Sequence, residues 1–136
     1  GRGEWRRFFS IRDGLGIKHL IHEGYKVGII TGSTSADIRE RFSNLGVPFM
    51  YEGSMDKIPA FNDIKRQTGF ADHEIAYMGD DVFDIPLLEK VGFAATVTDA
   101  MEDVFSHVDY VAHRPAGNGA AREVCDLIVK YGAFAK

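Results

Sequence analysis

The chain has 136 residues, of which 45% are hydrophobic and 26% charged; that composition fits one globular domain with one apolar core. A formal charge of −4 gives no electrostatic reason to expect nucleic acid or an anionic membrane as partner. The single cysteine, Cys125, excludes an intramolecular disulfide, suits a reducing compartment such as the cytoplasm, and sits in an apolar helical pattern that reads as core. No apolar run reaches the roughly 18 residues of a membrane span, and the basic start GRGEWRRFF lacks the apolar centre of a signal peptide.

RRFFSI (6–11) is strand-like. DGLGIKHLIHEGY (13–25) has apolar residues at 17, 20 and 21 and predicts a helix, with Asp13 as N-cap and Gly24 as stop. KVGIIT (26–31) is a short apolar run suited to a strand buried on both faces. A helix is predicted over 33–46, a short strand over 49–52, and a helix over 56–69 with Pro59 in its first turn. EIAYMG (74–79) reads as a second buried strand, 82–92 as a helix, 93–97 as a strand and 99–108 as a helix. A last short strand (109–112), a glycine-containing loop and a helix over 119–132 close the chain, with a frayed tail AFAK.

This alternation predicts an α/β domain of the Rossmann-like kind. Its sheet is mainly parallel, helices cover both faces, and there is no large second domain. Ligands bind such sheets beyond the carboxyl ends of the strands. Three segments leave strands there: ITGST (30–34), GSMDK (53–57) and GDDVFD (79–84). In the first, Thr31 and Gly32 lead into a helix start, where backbone N–H groups and hydroxyls attract anions; Ser33 or Thr34 could equally be a plain helix cap. Lys57 falls in the first turn of a helix, where the dipole disfavours a cation, so it answers either to an anion at the strand ends or to water. Asp80, Asp81 and Asp84 crowd into five positions. Capping needs one carboxylate; three make a hard, all-oxygen site suited to Mg²⁺, which takes few carboxylates and shares phosphate oxygens. His19, His22, His73, His107 and His113 show no metal-ligand spacing.

ITGST, Lys57 and GDDVFD, in that order after strands, resemble motifs two, three and four of the haloacid-dehalogenase-type phosphohydrolases. FFSIRDGLGIKHL, GYKVGIITGS, DKIPAF, IAYMGDDVFDIPLLEKVG and RPAGNGAAREVCDLI together resemble the 3-deoxy-D-manno-octulosonate 8-phosphate phosphatases, over about residues 8–131. Near relatives are the nonulosonate 9-phosphate phosphatases and the domain appended to some CMP-sialate synthetases. The resemblance implies a Mg²⁺-dependent phosphatase of a phosphorylated sugar acid in lipopolysaccharide biosynthesis, acting through an aspartyl-phosphate. It implies that Thr31 and Gly32 hold the phosphoryl oxygens, that Lys57 neutralises their charge, and that Asp80 binds the metal with Asp81 and Asp84 completing or supporting the site. Arg12, Asp13, Gly14 and Gly16 would flank the sugar-acid pocket. Arg114 and Arg122 would reach toward a neighbouring subunit's site in a homotetramer.

One motif has no counterpart. The family's first motif, DxDGxxT, carries the attacking aspartate and the general acid–base, and nothing in residues 1–11 resembles it; Asp13 belongs to a different segment. In this fold the strand carrying it lies between those predicted at 26–31 and 74–79. The expectation is therefore an upstream segment that supplies that strand. The alternatives are a non-catalytic assembly domain in which the two strands pair directly and, less well matched by the closing GNGAARE, a response-regulator-like receiver.

Overall fold

The computed structural model describes residues 11–32, 36–47, 49–114 and 119–131, with the backbone alone at 11–16, 37, 38, 41, 42 and 131. Helix α1 (Ile11–His22) is followed by β1 (Gly28–Ile30), α2 (Ala36–Asn44), β2 (Phe49–Tyr51) and α3 (Ile58–Thr68). Then come a 3₁₀ turn (Asp72–Glu74), β3 (Ala76–Met78), a second 3₁₀ turn (Val82–Asp84) and the short α4 (Ile85–Leu88). β4 (Phe93–Thr96), a 3₁₀ stretch (Glu102–His107), β5 (Tyr110–Val111) and α5 (Ala120–Tyr131) complete the order.

Every strand pairing is parallel, as an alternating α/β sequence requires. Short as it is, β1 is covered on both faces. On β1, Ile29 faces the main core with Ile17 and Leu20 of α1 and Val124, Cys125 and Ile128 of α5, while Ile30 joins Phe61 and Leu87 on the opposite side. Burying a side chain such as Leu87, fully inaccessible, contributes roughly 1.5–3 kcal/mol. Cys125 is buried in that core, as its apolar setting predicted. No described helix is long and apolar enough to cross a membrane.

Some boundaries differ from the sequence expectation. Of the strand expected at 6–11, residues 6–10 lie outside the described residues and Ile11 opens α1, so Asp13 sits inside the first turn rather than capping it. The helix expected over 82–92 divides into a 3₁₀ turn and one α turn, because Asp81 and Asp84 cap the turn reciprocally and Pro86 begins the next one. The helix expected over 99–108 is 3₁₀ throughout its ordered part. Gly69 ends α3 with φ at 77° and its N–H on the Lys65 carbonyl, a left-handed stop that glycine adopts without strain.

Among the described residues the strands form two sheets, β1–β2 and β3–β4–β5, rather than one. Between β1 and β3 lies an apolar cleft of about 170 Å³, bordered by Ile30, Phe61, Met78, Val124 and Ile128 among others. Thr31 N–H bonds to the Tyr51 carbonyl and Gly79 N–H to the Ala95 carbonyl. Alternate residues of a parallel strand bond to opposite sides, so the main-chain groups of Ile30 and Met78 point to the cleft. Among the described residues, no strand pairs with those edges.

Beyond β5, Glu123 of α5 fixes the turn. Its carboxylate accepts from the Tyr110 hydroxyl, from the backbone N–H of His113 at 2.8 Å and from that of Arg114 at 3.0 Å. Partial burial works against the Glu123 charge, but these donors prevail and hold its pKa below the ordinary value, while Tyr110 is pushed up to about 12. A depressed carboxylate contributes stability above its unfolded pKa and loses it as pH falls through the folded one. Glu123→Ala should therefore cost about 2 kcal/mol in urea unfolding at pH 7, and the gap from wild type should close as the pH is taken well below 4.

Candidate active site

The three strand-end segments meet through hydrogen bonds. Thr31, 2% exposed, ends β1, and its carbonyl accepts the Gly53 N–H at 3.1 Å, joining ITGST to GSMDK. The Met55 thioether lies directly against Gly32. From the same GSMDK segment, Lys57 reaches Asp84 of GDDVFD, with Nζ 2.6 Å from Oδ1. Both side chains are 0% exposed.

Lys57 occupies the N-cap position of α3 without capping it. The sequence offered two readings, an anion partner or a chain reaching water, and the structure places the ammonium wholly inside, on a carboxylate. A buried ammonium is tolerable only when paired and hydrogen-bonded.

Asp84 is the hub. Its Oδ1 accepts from Lys57 and from the Tyr77 hydroxyl at 2.6 Å, and its Oδ2 from the N–H groups of Asp80 at 3.0 Å and Asp81 at 3.1 Å. An ionised carboxylate offers about four acceptor positions, and four donors fill them. Of the two roles the resemblance implies for Asp84, completing the metal site or supporting it, this geometry fits the supporting one: its oxygens are saturated and inaccessible. Glycine at 79 is what lets Asp84 come this close, since a Cβ there would lie 2.5 Å from the carboxylate carbon.

The turn above Asp84 is pinned on all sides. Gly79 donates to the Ala95 carbonyl, and its own carbonyl accepts the buried Thr96 hydroxyl at 2.6 Å. The Asp80 carbonyl accepts the Met101 N–H at 2.9 Å. The backbone of Asp80 is thus held at both its N–H and its carbonyl, and its side chain is half-buried. Asp81 accepts the Phe83 N–H at 3.3 Å and so does the capping that one carboxylate suffices for. Among the described residues, no three His, Cys, Asp or Glu side chains gather as a metal-ligand set. What the rim offers is Asp80 with Asp81, an oxygen-only pair of the sort Mg²⁺ accepts when waters and a phosphate complete the shell.

Tyr77 and Thr96 were not singled out by sequence. Burial, then the charge and hydrogen bond of Asp84, push the Tyr77 phenol well above its ordinary pKa. It stays protonated and donates. The available signal was a tyrosine in a strand buried on both faces, whose hydroxyl must find a partner. The other expected site residues lie on other elements. Arg12, Asp13, Gly14 and Gly16 lie along the first turns of α1, their side chains outside the described residues, as are Ser33 and Thr34. Arg114 follows β5 and Arg122 opens α5 beside Asp126, both around Glu123.

Parallel strands whose ends carry a carboxylate rim held by a buried lysine–aspartate pair frame the site, and the chain belongs to the haloacid dehalogenase-like hydrolases, whose family model matches residues 46–124. A 3-deoxy-D-manno-octulosonate 8-phosphate phosphatase of Salmonella typhi is 39% identical over 127 residues, 93% of this chain and 68% of the relative. The phosphatase of that name from Yersinia pestis superposes with a TM-score of 0.88 at 37% identity, covering 90% of this chain and 66% of that one. The Moraxella catarrhalis one, solved with magnesium ion, phosphate ion and KDO, gives 0.87 at 36% identity, covering 93% and 71%. Within the class, the family is that of the 3-deoxy-D-manno-octulosonate 8-phosphate phosphatases, of whose length the chain spans about two thirds.

Removing one partner of the buried pair leaves a charge uncompensated. Asp84→Asn should lower unfolding stability by about 3 kcal/mol, and adding Lys57→Met should recover more than half of that loss, measured by urea denaturation of both variants.

Proposed function

We propose that this protein is a Mg²⁺-dependent phosphomonoester hydrolase of a phosphorylated sugar acid, converting 3-deoxy-D-manno-octulosonate 8-phosphate to 3-deoxy-D-manno-octulosonate and phosphate. The observation that carries the reading is the linked set Thr31–Gly53–Lys57–Asp84, with the turn of Asp80 and Asp81 hung on it. The similarity to phosphatases of that name supports the substrate.

In this reading Asp80 is the direct metal ligand, Asp81 lies at the rim, and Asp84 holds the turn. A bound cation supplies charge neutralisation on the phosphoryl oxygens. Thr31 and the Gly32 N–H hold those oxygens, and Lys57 adds a positive charge from beneath in a site where water does not screen it. The attacking aspartate comes from an upstream strand lying in the cleft between β1 and β3. There it satisfies the main-chain groups of Ile30 and Met78, each worth about 1–3 kcal/mol if left unpaired in an apolar setting. Its carboxylate attacks phosphorus in line, the sugar-acid alkoxide leaves with a proton from the general acid, and water hydrolyses the aspartyl-phosphate. Arg12, Asp13, Gly14 and Gly16 flank the sugar acid. Arg114 and Arg122 approach a neighbouring subunit's site in a cytoplasmic homotetramer, where an arginine suits a substrate bearing carboxylate and phosphate. An active enzyme that sediments as a monomer would remove that last part.

The test is phosphate release by the full-length protein. Wild type should turn over the octulosonate phosphate with Mg²⁺ and stop on chelation. Asp80→Asn should abolish Mg²⁺-dependent release; unchanged turnover would refute the assignment, and a full-length wild type that binds Mg²⁺ without releasing phosphate favours the assembly-domain alternative. Thr96→Val, which keeps shape but leaves the Gly79 carbonyl unsatisfied, should raise the Mg²⁺ concentration for half-activation about tenfold, as loss of a supporting hydrogen bond does at metal sites, with kcat at saturating Mg²⁺ little changed.

A further inference from the structure

Few large apolar side chains stay exposed in this fold. Among the described residues they are Phe83, Met101, Phe105 and Val111. The first three lie on two 3₁₀ segments that touch each other, Val82–Asp84 and Glu102–His107 with its N-cap residue. A lone exposed apolar residue is ordinary, but several gathered beside a ligand rim mark a contact surface.

Two of the three hang on the rim itself. Phe83 gives its backbone N–H to the Asp81 carboxylate at 3.3 Å, and Met101 gives its own to the Asp80 carbonyl at 2.9 Å. Phe83 is 46% exposed and Met101 53%. Both attachments use main-chain donors, so a polar side chain at either position would keep them without leaving apolar surface in water. The turn that carries Phe83 is also held in place, because the N–H groups of Asp80 and Asp81 bond to Asp84.

The rim is made of oxygen and charge. With its cation it can hold a phosphoryl group, which every phosphate ester carries, and it cannot tell one ester from another. Discrimination has to come from groups that meet the carbon skeleton, and one ester oxygen separates that skeleton from phosphorus. A side chain whose backbone is bonded to a rim aspartate is within reach of the first carbons. Between its hydroxyls a sugar acid presents faces of C–H bonds, and an aromatic ring laid on such a face removes apolar surface from water on both partners. Ligand sites join an apolar lining to a few polar groups that fix orientation. Asp80, Asp81 and Lys57 supply the polar part here.

We propose that Phe83 is a specificity-determining residue of this site: its ring packs on a C–H face of the sugar acid while the phosphoryl group sits at Asp80, and Met101 on the adjoining segment extends the same apolar surface. The inference rests on the phosphatase reading. A second copy of the chain is the other occupant such a patch could take; the attachment of Phe83 and Met101 to the two rim aspartates favours the substrate.

In the full-length enzyme, Phe83→Ala should raise KM for the octulosonate phosphate about tenfold, the scale of losing an apolar contact in a specificity pocket, with kcat within about twofold of wild type. Inhibition by free 3-deoxy-D-manno-octulosonate should weaken alongside, while inhibition by inorganic phosphate, which reads the rim alone, should hold within about twofold. Phe83→Tyr keeps the ring and should bring KM back to within about twofold of wild type, and Phe105→Ala, farther along the second segment, should leave it there. A KM for Phe83→Ala within about twofold of wild type overturns the inference, whether or not sedimentation slows, and slower sedimentation would assign the patch to a second copy. So does phosphate inhibition lost in step with KM, which would mean a disturbed turn. If Phe83→Ala fails to fold, the wild type decides: the ring resonances of Phe83 should shift on adding the free sugar acid and stay put on adding phosphate, and resonances unmoved by the sugar acid overturn the inference. A wild type that releases no phosphate sinks the phosphatase reading instead, whereas an active wild type with an unaltered Phe83→Ala sinks this inference alone.

Discussion

Two opposite charges removed from water organise this molecule. Taking an ammonium or a carboxylate into a protein interior costs several kcal/mol even after relaxation, so neither Lys57 nor Asp84 can stand there without the other. The pair bridges the loop after β2 and the turn after β3, and it holds them in one relative position because any separation strands a charge. The other donors to Asp84 extend that constraint into the backbone of Asp80 and Asp81. A single carboxylate therefore couples the placement of the cationic group to that of the Asp80–Asp81 rim.

A second constraint comes from the divided sheet. β1 and β3 each use one edge for a parallel neighbour and turn the other toward an apolar cleft. Backbone N–H and C=O groups are obligatory hydrogen-bonding groups, so a cleft of this outline between strand edges is shaped for another strand. A strand inserted there would run between the ends that carry Thr31 and Asp80, and a residue at its end would face both. The supporting chemistry and the reacting chemistry would then occupy one edge of one sheet, the usual location for ligands in open α/β folds.

At the opposite end of the chain Glu123 plays a smaller version of the Asp84 role. It is acceptor-only, it collects a hydroxyl and two backbone N–H groups, and it fixes where the chain goes after β5. Both hubs are carboxylates whose lone pairs are consumed by nearby donors, and both fix a turn of the backbone. Their difference is degree of burial: Glu123 is only partly buried, so water can reach a lost partner's place, while Asp84 is fully inaccessible.

By itself the sequence determined the alternation of strands and helices, the parallel sense of the pairings and the three segments at the strand ends. Short apolar runs followed by glycine and polar residues carry those signals in local order. It also placed Cys125 in the core, because apolar spacing on α5 is a local property. It did not determine what each carboxylate does. Asp80, Asp81 and Asp84 are equal in a string of letters; only the tertiary structure separates a rim carboxylate, a cap and a buried hub, because saturation of lone pairs depends on a donor 27 residues away at Lys57 and on a tyrosine in the preceding strand. The 3₁₀ form of Glu102–His107 and the roles of Tyr77 and Thr96 were likewise decided in three dimensions. A hydroxyl is only as functional as the charge or carbonyl that packing brings against it.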